Sequence, residues 1–299
     1  MAEKDIETKN LESYPDVFAD IFNVLLFKEN RIQPAQLEDG PTETIYKDAK
    51  RKNRQQSRDE MKRYLGENRL LISMLGMENQ TSVERFMPVR AFSYDAGAYK
   101  SQANEVSRKD KKTILYPVIS IVLNFSNERW YQPKNLMGLM EIPEWMDEFV
   151  QDYRMYVFDI AFLEDDVIER FRSDFKIVAR FFKNRRINQD IADQTELKHI
   201  EAVLDLLSAF TDDQRYAEVI PAVLESAKKG KGANMCVVAD ALVKKGEDIG
   251  RQEGWEKGRK EGELNLAIKL IKKGKLTISD AVENAGITEE EMAKAIEAY

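Results

Sequence analysis

Two residue types on which much enzyme chemistry depends are almost missing. The 299-residue chain has one cysteine, Cys236, and one histidine, His199. A single cysteine forms no internal disulfide, and the pair cannot supply a zinc tetrahedron. Any Ser-His-Asp or Cys-His mechanism would depend on His199 alone. That residue sits in TELKHIEAVLDLL, which reads as a helix with the histidine partly buried or on its surface. Apolar runs of the roughly 18–20 residues needed for a membrane span are also missing. The opening MAEKDIETKNLESYPD is acidic and polar, without the basic start and apolar segment of a secretory signal. A cytoplasmic location is the default expectation.

Hydrophobic residues make up 43% of the chain and charged residues 33%, enough apolar surface for a real core. The net charge of −7 argues mildly against nucleic acid, but binding depends on local charge. Positive residues gather in three groups. The first is Lys47, Lys50, Arg51, Lys52, Arg54, Arg58, Lys62 and Arg63; the second is Arg108, Lys109, Lys111 and Lys112; the third is Lys183, Arg185 and Arg186. Each alone reads as solvated surface.

Periodicity predicts a helix over 15–28, with Phe18, Ile21, Phe22, Leu25 and Leu26 on one face and Pro15 in its first turn. A short strand follows in ETIYKDA. RDEMKRYL and RLLISMLGMENQ flank Gly66-Glu67-Asn68 and read as a hairpin over 58–80, its second arm apolar enough to be buried on both faces. A helix is expected over 82–94 with Val83, Phe86, Val89, Ala91 and Phe92 inward, despite Pro88. PVISIVLNF (117–125) and MYVFDI (155–160) read as strands. From 162 the pattern is helical, through Val167, Ile168, Phe171, Phe175, Val178, Phe181 and Phe182, then Leu197 to Phe210 and Tyr216 to Ala227. This order suggests an α/β core with a helical continuation.

Near the end, Gly246, Gly250, Gly254, Gly258 and Gly262 recur every four residues among charges. On a helix they trace a drifting stripe, and each costs about 1 kcal/mol relative to Ala. Two readings stay open: a flexible charged linker, or a self-association helix whose glycines let two backbones approach. Thr277-Ile278-Ser279-Asp280 and Thr288-Glu289-Glu290-Glu291 resemble capping boxes of two short helices joined near Gly286, read as a packing or assembly hairpin.

The chemistry-bearing cluster is Asp59, Glu78 and Gln80. On a strand Glu78 and Gln80 share a face, and the hairpin folds Asp59 towards Glu78. Two carboxylates and an amide oxygen make a hard-oxygen site suited to Mg2+. Spacing alone is a weak signal.

The surrounding blocks are more specific. LGMENQTSVERFMPVRAFSYD (75–95) and LYPVISIVLNFSNERWYQPKNL (115–136), with YPDVFADIF and the glycine-every-four tail, resemble the recombination-promoting nuclease (Rpn) family, also labelled putative transposase. Its members have a PD-(D/E)XK-type fold. The resemblance covers most of the chain. It implies an α/β, restriction-endonuclease-like core with a helical C-terminal extension: a nuclease core over 1–165, a helical continuation over 166–245 and a glycine-repeat helix with hairpin over 246–299. It also implies a DNA endonuclease that promotes recombination, with Asp59 and Glu78 as metal ligands, Asp59, Glu78 and Gln80 as catalytic residues, and Mg2+ (or Mn2+) as cofactor. Gln80 stands where the wider superfamily has Lys, and it lacks the charge that Lys gives to the developing phosphorane. Arg90 is the candidate to supply that charge, with Arg58, Lys62 and Arg63 as further DNA contacts. Asp16 could orient a water or a second metal, though it also suits a plain helix start. Trp130 and Tyr131 could stack on bases or pack in a loop. A homo-oligomer, at its simplest a dimer through the core or the C-terminal helices, is the expected assembly. The alternatives are a catalytically weak DNA-binding or assembly protein that keeps the nuclease fold, and an unrelated α/β protein whose acidic cluster is a surface accident.

Overall fold

The computed structural model describes residues 11–47, 53–57, 59–66, 71–109, 115–189, 193–278, 281, 290 and 294–296, with side chains except at 43–47, 53–57, 72 and 105–109. The hairpin turn at Glu67-Asn68, Arg58, Lys50, Arg51 and Lys52, the side chains of Lys47 and Arg54, the side chains of the second basic group and both capping boxes beyond Ile278 lie outside this description. The chain forms two compact units, Met1–Ala239 and Asp240–Tyr299. No helix among the described residues is long and apolar enough to cross a membrane.

The first unit is mixed α/β. Helix α1 (Pro15–Ile21) starts on proline and runs into a π-helical segment, Phe22–Phe27. Strands β1 (Leu37–Asp39), β4 (Glu60–Leu65), β5 (Leu71–Gln80), β6 (Val118–Asn124) and β7 (Tyr156–Asp159) make one five-stranded sheet in the order β1-β4-β5-β6-β7. Strands β2 (Glu43–Lys47) and β3 (Asn53–Ser57) form a separate antiparallel pair. The β1–β4 and β4–β5 pairs are antiparallel, whereas β5–β6 and β6–β7 are parallel. Parallel neighbours need a crossover. Helix α2 (Met87–Lys109) supplies the one between β5 and β6.

Helix α2 departs from the expected 82–94 in extent and in facing. It begins at Met87, so Pro88 falls in the first turn, where a missing N–H costs nothing. Its buried face is Met87, Ala91, Tyr94 and Ala98, whereas Phe86, Val89 and Phe92 are exposed. The large side chains misled the reading. The alanines mark the inner face, because small residues let the helix lie close to the sheet. Met87 and Ala91 pack with Val122, Trp130 and Met155, and Val83 lies against that cluster. Ala98 packs with Met61, Met74 and Val118.

The expected long helix after 162 is broken. Helix α3 (Asp165–Ile168) stops, and α4 (Phe175–Arg186) starts after a turn. The cause is Asp20 on α1, whose Oδ2 accepts the N–H groups of Arg172 and Ser173 and the Ser173 hydroxyl, each at 2.7 Å. Helices α5 (Ile200–Thr211), α6 (Arg215–Glu218) and α7 (Ile220–Lys228) follow. Phe125, just past β6, joins sheet to helices. Its ring lies 6.2, 5.1 and 4.6 Å from those of Phe175, Phe182 and Phe210. His199 immediately precedes α5, where its ring stacks on Tyr14 at 3.8 Å and its Nε2 lies 3.1 Å from Asp16.

The glycine repeat is helical and is not a loose linker. It lies in α8 (Met235–Lys272). A Cβ added at any of the five glycines meets nothing within 4 Å. Gly250→Ala and Gly254→Ala should therefore each stabilise the second unit by about 1 kcal/mol. Thermal melts followed by circular dichroism check this, and a lower Tm would mean that something packs against the stripe. Ile268 and Ala281 centre a small apolar cluster with Leu264, Ile271, Leu276 and Ile296.

Candidate acidic site at the hairpin end

The β4–β5 register brings the two predicted carboxylates together. Glu60 pairs with Met77, so Asp59 falls beside Glu78 where the hairpin arms end. Asp59 Oδ2 accepts the backbone N–H of Asn79 at 2.7 Å, which fixes its carboxylate against the second arm. Glu78 is 1% exposed. By strand alternation it shares the α2 face of the sheet with Gln80, which is half-buried.

Arg90 reaches this face from the first turns of α2. Its Nη2 lies 3.5 Å from Glu78 Oε2 and 3.4 Å from the Tyr94 hydroxyl, and its Nη1 donates to Glu84 at 2.7 Å. Burial opposes its charge, but Tyr94, Glu78 and Glu84 outweigh that, so the guanidinium holds its proton more tightly than usual. Burial, and then the charge of Glu78, push the Tyr94 hydroxyl up. Arg90, the cation expected on this helix, thus lies beside Glu78.

Two other expected DNA contacts fare differently. Lys62 is not on a DNA-facing surface. It is 1% exposed, its Nζ donates to Asp39 at 2.8 Å and lies 3.3 Å from Glu60, and it sits 5.6 Å over the Phe18 ring. Its place on β4 turns it to the α1 face, and the aliphatic stem suits that burial. Arg63, the next residue, is half-buried on the opposite face. In the third basic group, Lys183 pairs with Asp165 at 2.8 Å. Asp16 is engaged by His199, as a helix-start residue holding a neighbour. Trp130 is core, at 5% exposure, whereas Tyr131 is exposed.

The sequence reading missed Glu12. It lies in a helical turn at 11–13, is fully buried, and accepts from Asn79 Nδ2 at 2.6 Å. Its Oε1 has no hydrogen-bond partner. Burial pushes its pKa well above the carboxylate range; the Asn79 bond opposes this, and Asp59, Glu60 and Glu78 add to it. Because the folded pKa is raised, Glu12 favours the fold most below the unfolded carboxylate value, and that contribution is lost as pH rises through the folded value. Glu12→Gln should therefore raise Tm by a few degrees at pH 8 in EDTA and change little at pH 4. An equal effect at both pH values would contradict this account. No spacing in the sequence links position 12 to position 79; only the packing of the first helical turn against the sheet does.

Among the described residues, no group of three or more His, Cys, Asp or Glu side chains is arranged to hold a metal ion. Asp59 and Glu78 could offer two carboxylates, with water and phosphate completing a hard cation's shell, the way Mg2+ is usually held. The charges of Asp59, Glu60 and Glu78 all act to raise the Glu12 pKa, so the carboxylates lie close enough to feel one another.

No curated protein and no solved structure matches the chain. A family model described as "Putative transposase, YhgA-like" matches residues 71–215. The matched span holds Glu78, Gln80 and Arg90 and leaves out Asp59 and Glu12. From β5 through the start of α6, the chain is therefore similar to the YhgA-like "putative transposase" family.

Proposed function

We infer that this protein is a divalent-metal-dependent DNA endonuclease on a PD-(D/E)XK-type core, with Asp59 and Glu78 as ligands of Mg2+ or Mn2+. The observation that carries the reading is the meeting of Asp59 and Glu78 at the hairpin end, locked by the Asn79 N–H. The family description supports DNA as the substrate. An antiparallel hairpin that leads through a helix into a parallel strand supports the nuclease-type core.

When bound, the metal would polarise a phosphodiester and lower the pKa of a water. Asp59 and Glu78 would hold it. Arg90 carries the positive charge that Gln80 lacks, and Gln80 is left to orient a water through its amide. Arg63 and Arg58 would grip phosphates, so binding should fall as salt rises.

One observation favours a second reading, a DNA-binding or assembly protein with weak catalysis. Arg90 is shared between Glu78 and Glu84, so its charge is partly neutralised before any phosphate arrives. Cleavage of supercoiled plasmid by the full chain, dependent on Mg2+ and abolished by EDTA, tests the first reading. Tight DNA binding without Ca2+ binding in calorimetry would favour the second. Self-association belongs to the same proposal: removing residues 246–299 should lower the oligomeric state measured by light scattering if that segment carries an interface off the glycine stripe.

A further inference from the structure

The C-terminal ends of β5, β6 and β7 lie side by side, with Gln80 paired to Asn124 and Asn124 to Asp159. In α/β sheets, ligands bind outside such strand ends. The loop leaving β6 starts beside the acidic site, because the Phe125 N–H donates to the Gln80 carbonyl at 2.8 Å. The loop is then pinned along this edge. Asn124 Nδ2 donates to the Glu128 carbonyl at 2.8 Å and to Asp159 Oδ1 at 2.7 Å, and the Trp130 N–H donates to the same Oδ1 at 2.9 Å.

Between those anchors stands Arg129, which is exposed. Its guanidinium carbon lies 4.7 Å from the centre of the Phe162 ring, in the 3-10 turn Ile160–Phe162 that follows β7. The guanidinium of Arg186, at the end of α4, lies 4.2 Å from the same ring centre. Arg186 donates Nε–H to the Ala161 carbonyl at 2.8 Å. Two guanidinium groups thus share one ring. Among the described residues, neither has a carboxylate at ion-pair distance.

Arg90, Arg170, Arg180 and Lys183, by contrast, are matched by carboxylates. Two acids on this edge are engaged elsewhere: Asp159 holds the loop, and Asp165 pairs with Lys183. A purely structural cap on Phe162 needs one cation, because a single guanidinium over the ring already makes the contact. A second cation on the same ring adds repulsion, and an anion between the two removes it. Guanidinium is the side chain suited to a bidentate grip on a phosphate.

We propose that Arg129 and Arg186, organised by Phe162, form a clamp for the nucleic-acid backbone on the same strand-end edge as Gln80. The ligand chemistry is the phosphodiester oxyanion, and the source is a DNA strand entering the acidic site. This rests on the reading of the protein as a DNA nuclease.

The test is binding of a fluorescein-labelled DNA duplex to the full chain in EDTA, by anisotropy across a salt series. Each lost phosphate contact lowers the slope of log K against log salt by about 0.9. Arg129→Gln together with Arg186→Gln should lower it by about 1.8 and weaken binding at least about tenfold. Arg129→Gln alone, which leaves the Ala161 bond in place, should give about half that slope change, so a folding defect in the double variant does not decide the matter. An unchanged slope in Arg129→Gln, with normal binding by the parent chain, overturns the clamp and leaves the nuclease reading standing. No salt-dependent binding by the parent chain overturns both. Inorganic phosphate is the second arm, titrated at constant ionic strength. Phosphate binding lost in Arg129→Gln with unaltered DNA binding would overturn the nucleic-acid assignment; DNA binding that falls in the variant supports it.

Discussion

Asp59→Asn and Glu78→Gln should each lower Mg2+-dependent DNA cleavage by roughly a thousandfold, with the fold intact. Charge stabilisation by a catalytic metal amounts to several kcal/mol, and each ~1.4 kcal/mol is tenfold in rate. The two substitutions probe charge and leave shape nearly unchanged. Asn at position 59 can still accept the Asn79 N–H through its amide oxygen, so the bond that fixes the hairpin end is retained. Gln at position 78 fills the same buried space beside Arg90. Loss of activity without loss of Tm therefore points to the metal site, and Ca2+ affinity by calorimetry should fall in parallel. If both variants cleave at the parent rate with parent Ca2+ affinity, the site assignment is wrong. Arg90→Ala should also slow cleavage, by a smaller factor, because in the proposed reaction Arg90 would act on the charge developing at phosphorus and would hold no metal.

Phe125→Ala should cost about 3–5 kcal/mol, the range for emptying a large buried aromatic site. In a folded unit of this size, each kcal/mol shifts Tm by about 2–4 °C, so a fall on the order of 10 °C is expected. Phe125 is 4% exposed and touches rings on α4 and α5. Those helices cannot close into the space, because the Phe125 N–H ties its backbone to Gln80. Phe92→Ala is the control. That residue is 46% exposed and its ring lies 5.2 Å from Tyr153, so its loss should cost only about 1 kcal/mol. Melts of both proteins by circular dichroism decide it. Equal shifts would mean that Phe125 does not hold the helical layer to the sheet.

The elements with one dominant local signal were legible in the chain. The period-two and continuous apolar runs gave β5, β6 and β7 close to their ends, and the turn residues after Leu65 gave the hairpin and hence the pairing of Asp59 with Glu78. What failed depended on distance in sequence. Lys62 reads as one more cation in a basic run, and only the placement of α1 across β4 shows that it is buried. Residues 162–182 read as one helix, because the group that interrupts it is Asp20, far up the chain. Glu12 belongs to the acidic site through Asn79, and no window on the sequence contains both. On α2 the error was of another kind: Ala91 was expected inward and is, but the large apolar residues at 86, 89 and 92 were placed inward with it, and Ala98 lay beyond the expected end of the helix.

The Tyr14–His199–Asp16 contact has a consequence for the order in which the molecule is made. Asp16 and His199 are 183 positions apart. At 5–20 residues per second, ribosomal synthesis separates them by about 10–40 s. During that interval the first helix, which brings Glu12 to the acidic cluster, lacks the ties from Arg172, Ser173 and His199. A nascent chain therefore carries Asp59 and Glu78 well before that wall of the site is fastened, and the proposed DNA cleavage, if it depends on the whole cluster, would begin only when the helical half has emerged.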